Sequence, residues 1–92
     1  MYSVQSTRRY QKSLKRLIKS GRFHIVDVDV VINALREGKP LDASYQNHPL
    51  HGEYTECLEC HIQSDLLLIY KINEKAHMLT IIDIGSHSEL FG

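Results

Sequence analysis

The chain opens with Tyr2 and Val4 set between polar neighbours, the two-residue alternation of a short strand. From Tyr10 the rhythm lengthens. Tyr10, Leu14, Leu17 and Ile18 recur at helical spacing, and Lys12, Lys15, Arg16 and Lys19 lie largely off that stripe. Ser6 or Thr7 stands where a helix cap belongs, and Gly21 where a left-handed stop belongs. Residues 25–37 carry two patterns at once. Val26, Val28 and Val30 alternate as in a strand, while Val28, Val31, Ile32 and Leu35 keep helical spacing. Continuation through Asn33-Ala34-Leu35-Arg36-Glu37, then Gly38 and Pro40, predicts a second helix.

From Leu41 to Gly52 the chain is rich in Asp, Asn, Ser and Pro and reads as loop. Three strands are predicted near 53–62, 66–73 and 77–84, with Asn73-Glu74-Lys75 turning between the last two. Past Gly85-Ser86 the pattern breaks, and His87–Gly92 reads as a short tail. The sum is an α+β fold in one domain spanning residues 1–92, an N-terminal strand and two helices packed on an antiparallel sheet. A chain of 92 residues buries enough surface for one such domain and not two. Its longest apolar run, Leu66–Tyr70, is far from the roughly 20 residues of a membrane-spanning helix. No apolar block follows the first charges, so no signal peptide is expected, and with two cysteines the expected location is the reducing cytoplasm.

The formal net charge is zero, but it is unevenly spread. Residues 1–40 hold nine lysines and arginines against three acids, and residues 41–92 hold two against eight. A basic first half suits a polyanionic partner, and equally a solvated helix face.

The segment Cys57-Leu-Glu-Cys60-His61 matches a haem-attachment pattern and half of a zinc site. Strand geometry argues against both. Along a strand Leu58, Cys60 and Ile62 share one face, while Cys57, Glu59 and His61 share the other. Residues three apart are separated by roughly 10 Å, and a disulfide needs Cα atoms within roughly 7 Å. Cys60 is expected in the core and Cys57 to be incidental, with no metal or cofactor.

Histidine is frequent, six in 92 residues, and His48, His61 and His87 fall in the loop, strand and tail around Asp65. Taken singly, each reads as ordinary polar surface. Converging on one groove, two histidines and a carboxylate would suffice to cleave RNA by proton transfer alone, with Phe91 stacked on a base.

Three blocks carry a resemblance: Tyr45-Gln-Asn-His48-Pro-Leu-His-Gly52, then Glu59-Cys-His61-Ile-Gln-Ser-Asp65-Leu-Leu-Leu-Ile-Tyr70-Lys71, then Gly85-Ser-His87-Ser-Glu-Leu-Phe91. Together they resemble the YafQ branch of the RelE-type toxins, the toxin halves of bacterial type II toxin–antitoxin pairs. The resemblance implies a RelE-like fold and a metal-free endoribonuclease that cuts messenger RNA on the ribosome. It also implies silencing by a cognate antitoxin. By position it implies acid–base work by Asp65 and His87, with His48 and His61 assisting or orienting the phosphate. The chain departs from that pattern at Leu58 and Asp83, where arginines are usual, and at Leu66, where an aromatic residue is usual. Lys71 is the remaining cation that could bind substrate.

Three readings follow. The first is the ribosome-dependent endoribonuclease. The second, motivated by the missing arginines, is a catalytically weakened module that binds an antitoxin and acts with it at operator DNA in repression. The third is a haem- or zinc-binding domain built on Cys57, Cys60 and His61.

Overall fold

Thr7 joins the first strand to the first helix and ties both to the last strand. In the computed structural model, which describes residues 1–21 and 23–92, β1 (Ser3–Ser6) leads into α1 (Arg8–Ser20) and α2 (Ile25–Arg36). After a loop come β2 (His48–Pro49), β3 (Leu58–Gln63), β4 (Leu66–Asn73), β5 (Met78–Gly85) and a short α3 (His87–Phe91). The Thr7 hydroxyl accepts the Tyr10 amide at 3.0 Å and donates to Ile82 O at 2.5 Å, while the Thr7 amide donates to Ile81 O at 3.0 Å. A cap of this kind stabilises a helix by about 1 kcal/mol. At the other end Gly21 adopts φ 68°, the left-handed stop its position predicts.

The sheet order is β1-β5-β4-β3-β2, with β1 parallel to β5 and every other pair antiparallel. Central β4 is buried on both faces from Leu66 to Tyr70. Leu66, Leu68 and Tyr70 meet Tyr10, Leu17, Val28, Val31 and Leu35 of the helices. Leu67 and Ile69 point the other way, into a smaller cluster with Tyr54, Cys57 and Leu90. The helical reading of residues 25–37 holds, since Val28, Val31 and Leu35 are buried while Val26 and Val30 face solvent. No helix of the described residues is long and apolar enough to cross a membrane.

Four expectations change. The strand expected from residue 53 begins at Leu58, because Gly52–Tyr54 form a 3-10 turn and Glu56 takes φ 74°, breaking the extended run. The tail is a helix. Ser86 accepts from Glu89 N, and the Glu89 side chain accepts from Ser86 N, a complete capping box. On α1, Ile18 is exposed and Ser13 is buried in its stead, its hydroxyl donating to Asp83 Oδ1 at 2.7 Å. Cys57 lies just before β3 and is buried in the smaller cluster rather than turned outward.

Two core groups make the fold alkali-sensitive. Burial, reinforced by the nearby Glu59 charge, pushes the Cys60 thiol from 9.0 up to about 12. Burial, with a contribution from Cys60, pushes the Tyr70 phenol from 10.0 up to about 12, against the lowering effect of its hydrogen bond to Asn47. The folded chain holds both protons where the unfolded chain has lost them, so the stability they contribute is present below pH 9.0 and is lost as pH rises toward about 12. Chemical denaturation across that range should show a midpoint that falls with rising pH, and less steeply in Cys60→Ala. A midpoint independent of pH would contradict this assignment.

Candidate active site

Register, rather than sequence proximity, assembles the site. The two residues of β2 place His48 directly opposite Glu59 of β3. Glu59 and His61 are two apart and so share the face of β3 turned away from α1 and α2. The outcome is one carboxylate between two imidazoles. His48 Nε2 and His61 Nε2 each lie 3.2 Å from Glu59 Oε1. The Glu59 side chain is 5% exposed, against 49% for His48 and 26% for His61. On the far side of His48, Nδ1 lies 3.2 Å from Pro49 O. A carbonyl only accepts, so Nδ1 carries the proton there. The β3–β4 register shifts between His61 and Gln63, a bulge beside the site of the kind that re-aims a side chain.

The opposite wall is α3. The Ser86–Glu89 capping box fixes its start, and His87 is its first residue. Asp65, in the turn between β3 and β4, accepts the His87 amide through Oδ1 at 3.0 Å. One turn on, Phe91 lies 5.1 Å from the His87 ring and meets Tyr54 edge-on at 5.8 Å between centroids. His48, Leu50, His51, Glu59, His61, His87 and Phe91 line an open groove of about 440 Å³. Four of the seven are histidines, and none is lysine or arginine.

The structure therefore gathers His48, His61, His87 and Phe91 in one groove, with Asp65 bonded to the backbone of its α3 wall. It does not bring in Lys71. That side chain lies 3.9 Å from Glu56 and lines a separate cavity with Gln5 and Thr80. The register puts Lys71 opposite Thr80, well along β4 from the groove. Asp83 does not face the groove either. Its buried carboxylate accepts from Ser13 Oγ, from the Ile84 amide at 2.8 Å and from Arg9 Nε at 3.2 Å, all on the α1 side of the molecule. Leu58 and Leu66 pack with the helix-side core. Cys60 belongs to that core and Cys57 to the cluster on the other face of the sheet, so the two thiols do not converge with His61 on an ion. The haem or zinc reading built on them fails.

Glu59 and His51 are the groove residues that sequence reasoning did not single out. Glu59 had a legible signal, an acid two positions before a histidine on one strand face. Its link to His48 depends on a register that spacing does not give. Among the described residues, the donors of His48, Glu59 and His61 form a group able to hold a metal ion, all within 4.8 Å of one another.

Residues 2–92 match the family described as bacterial toxin of type II toxin–antitoxin system, YafQ. The chain belongs to that family. A putative YafQ toxin of Haemophilus influenzae is 34% identical over 92 residues, covering 96% of this chain and 86% of that protein. The mRNA interferase toxin YafQ of Escherichia coli K12 is 40% identical over 53 residues, a match spanning 58% of this chain and 55% of that toxin. Among solved structures, a metal-bound toxin from Helicobacter pylori superposes with a TM-score of 0.92 at 37% identity, over 99% of this chain and all of that one. YafQ from E. coli BL21(DE3) superposes with a TM-score of 0.89 at 25% identity, each chain covered in full. The expected RelE-like α+β fold is thus the fold of the YafQ toxins.

Within this YafQ fold the Asp65 carboxylate has a defined structural duty, to anchor the first turn of α3. Asp65→Ala removes the acceptor and should speed hydrogen exchange of the His87 amide at least tenfold. Asp65→Asn keeps a carbonyl oxygen in place and should leave that exchange close to wild type. Equal protection in wild type and Asp65→Ala would show that α3 does not depend on this bond.

Proposed function

We propose that this chain is the toxin of a type II toxin–antitoxin pair and a ribosome-dependent endoribonuclease that cleaves messenger RNA. The observation that supports this most directly is the single groove in which three histidines from β2, β3 and α3 face one another beside Phe91, with Asp65 at the base of α3. In the reaction a ribose 2′-hydroxyl loses its proton and attacks the adjacent phosphorus. The bond from phosphorus to the 5′-oxygen breaks, that oxygen takes up a proton, and a 2′,3′-cyclic phosphate and a free 5′-hydroxyl remain. Asp65 and His87 exchange the protons. His48 and His61 hold the phosphate, and Phe91 stacks on a base. No step requires a metal.

Charge in the groove comes from imidazole alone. With Nδ1 donating to Pro49 O and Nε2 donating to Glu59, His48 is an imidazolium, a cation held for the phosphorane in place of the usual arginines. Removing one such electrostatic donor in related chemistry costs about 10²–10³ in rate, so a slow enzyme is consistent with this site.

Escherichia coli YafQ is seen in a complex with DinJ, described as a toxin–antitoxin complex. By extension we propose a cognate antitoxin for this chain, an antitoxin complex that binds operator DNA, and a cytoplasmic location with the ribosome. The absence of any lysine or arginine in the groove keeps the weakened, antitoxin-binding module as the second reading.

Expression without an antitoxin separates them. The enzyme reading expects growth arrest with messenger RNA cut within coding regions, relief by His87→Ala through a loss of about 10²–10⁴ in rate, and cleavage by the purified protein that survives EDTA. Harmless expression with intact messenger RNA would leave only the binding module.

A further inference from the structure

The buried carboxylate at the centre of the groove sets up a second chemistry. Glu59 is nearly sealed from water, and its ion-pairing partners are the two histidines. A buried carboxylate needs positive charge close by. With His48 Nδ1 protonated toward Pro49 O, the neutral ring turns the lone pair of Nε2 toward Glu59 Oε1, so two acceptors would face each other. Either a proton on the ring resolves that contact or a cation does.

The spacing admits the cation. A zinc ion takes nitrogen at about 2.0–2.1 Å and carboxylate oxygen at about 2.0–2.2 Å, so adjacent ligands of a tetrahedral site stand about 3.3 Å apart. Both Nε2 atoms are 3.2 Å from Glu59 Oε1, and the three donor atoms lie within 4.8 Å of one another. The second ring nitrogen of His48 already meets a backbone carbonyl, the outer contact that fixes the tautomer of a metal-ligating histidine. Two imidazoles and a carboxylate suit divalent zinc or copper rather than magnesium or calcium. The groove side leaves a fourth position open to water.

We infer that His48, Glu59 and His61 form a divalent transition-metal site whose occupancy switches the groove off. The ion and the scissile phosphate require the same two imidazole nitrogens. A bound ion takes both lone pairs, removes the ring protons that would hold the phosphate, and occupies the centre of the groove. Metal is therefore an inhibitor of this site and not its cofactor. The inhibitory half rests on the nuclease reading above, whereas the metal site itself does not.

The test uses the purified full chain stripped with EDTA and exchanged into chelator-free buffer. Zinc chloride is titrated calorimetrically into wild type, His48→Ala and Glu59→Gln, with circular dichroism confirming that each variant is folded. In parallel, ribosome-programmed messenger RNA cleavage by wild type is followed over the same zinc concentrations. The expected result is one zinc per chain, binding weakened at least 100-fold in both variants, and cleavage that falls as the site fills and returns on adding EDTA. His48→Ala is on the surface and Glu59→Gln is nearly isosteric, so at least one should report on a native fold. Failure of wild type to bind zinc, or equal binding in folded variants, overturns the site. Cleavage at full rate with one zinc bound overturns the switch. A chain that binds zinc through these residues but never cleaves RNA contradicts the nuclease reading and leaves the metal site standing.

Discussion

A single carboxylate, Glu59, is the constraint on which the groove depends. It lies in the middle of a strand, is almost wholly buried, and is held by two histidines at equal distance. Burying a charge is costly unless it is paired and hydrogen-bonded, and breaking such a pair from one side leaves an uncompensated charge. The cost enforces geometry. His61 cannot swing away, and β2, only two residues long, is held in place partly because His48 answers the same carboxylate. The groove is thereby organised before any RNA arrives, as electrostatic catalysis requires.

The rest of the fold supplies the second wall and keeps it still. Thr7 pins α1 to the carbonyls of Ile81 and Ile82, where β5 bulges against β4. Beyond that bulge Asp83 reaches Ser13 and Arg9, and Arg16 reaches Glu89. Part of the basic face of α1 is thus engaged in holding β5 and α3, which narrows what its positive charge can offer a polyanion. Asp83, at a position where arginine is usual, has exchanged a role toward substrate for one toward the helix. Leu58 has turned to the helix-side core. Both departures are structural, and neither introduces repulsion into the groove.

Much of this was legible from local pattern. The helical stripe of α1, its Thr7 cap and its Gly21 stop are fixed by residues a few positions apart, and so is the burial of Cys60. The α3 helix was legible too, in Ser86 and Glu89, but five residues carry too little periodicity to announce themselves. Non-local contacts were the part the chain does not display. The pairing of His48 with Glu59 follows from register across eleven residues of loop and turn, and Lys71 lies outside the groove because of where β4 meets β5. The three blocks behind the resemblance pointed to the right histidines without showing that an acid holds two of them.

The central claim is that a Glu59-braced histidine groove cleaves RNA by transfer of the 2′-hydroxyl proton. The most direct measurement is the chemistry of the RNA ends left by ribosome-programmed cleavage, compared between wild type and Glu59→Gln at equal thermal stability. The account predicts 2′,3′-cyclic phosphate and 5′-hydroxyl ends from wild type, and the same ends at a rate lowered at least tenfold from Glu59→Gln. Ends carrying 5′-phosphate, or an unchanged rate without the Glu59 charge, would contradict it.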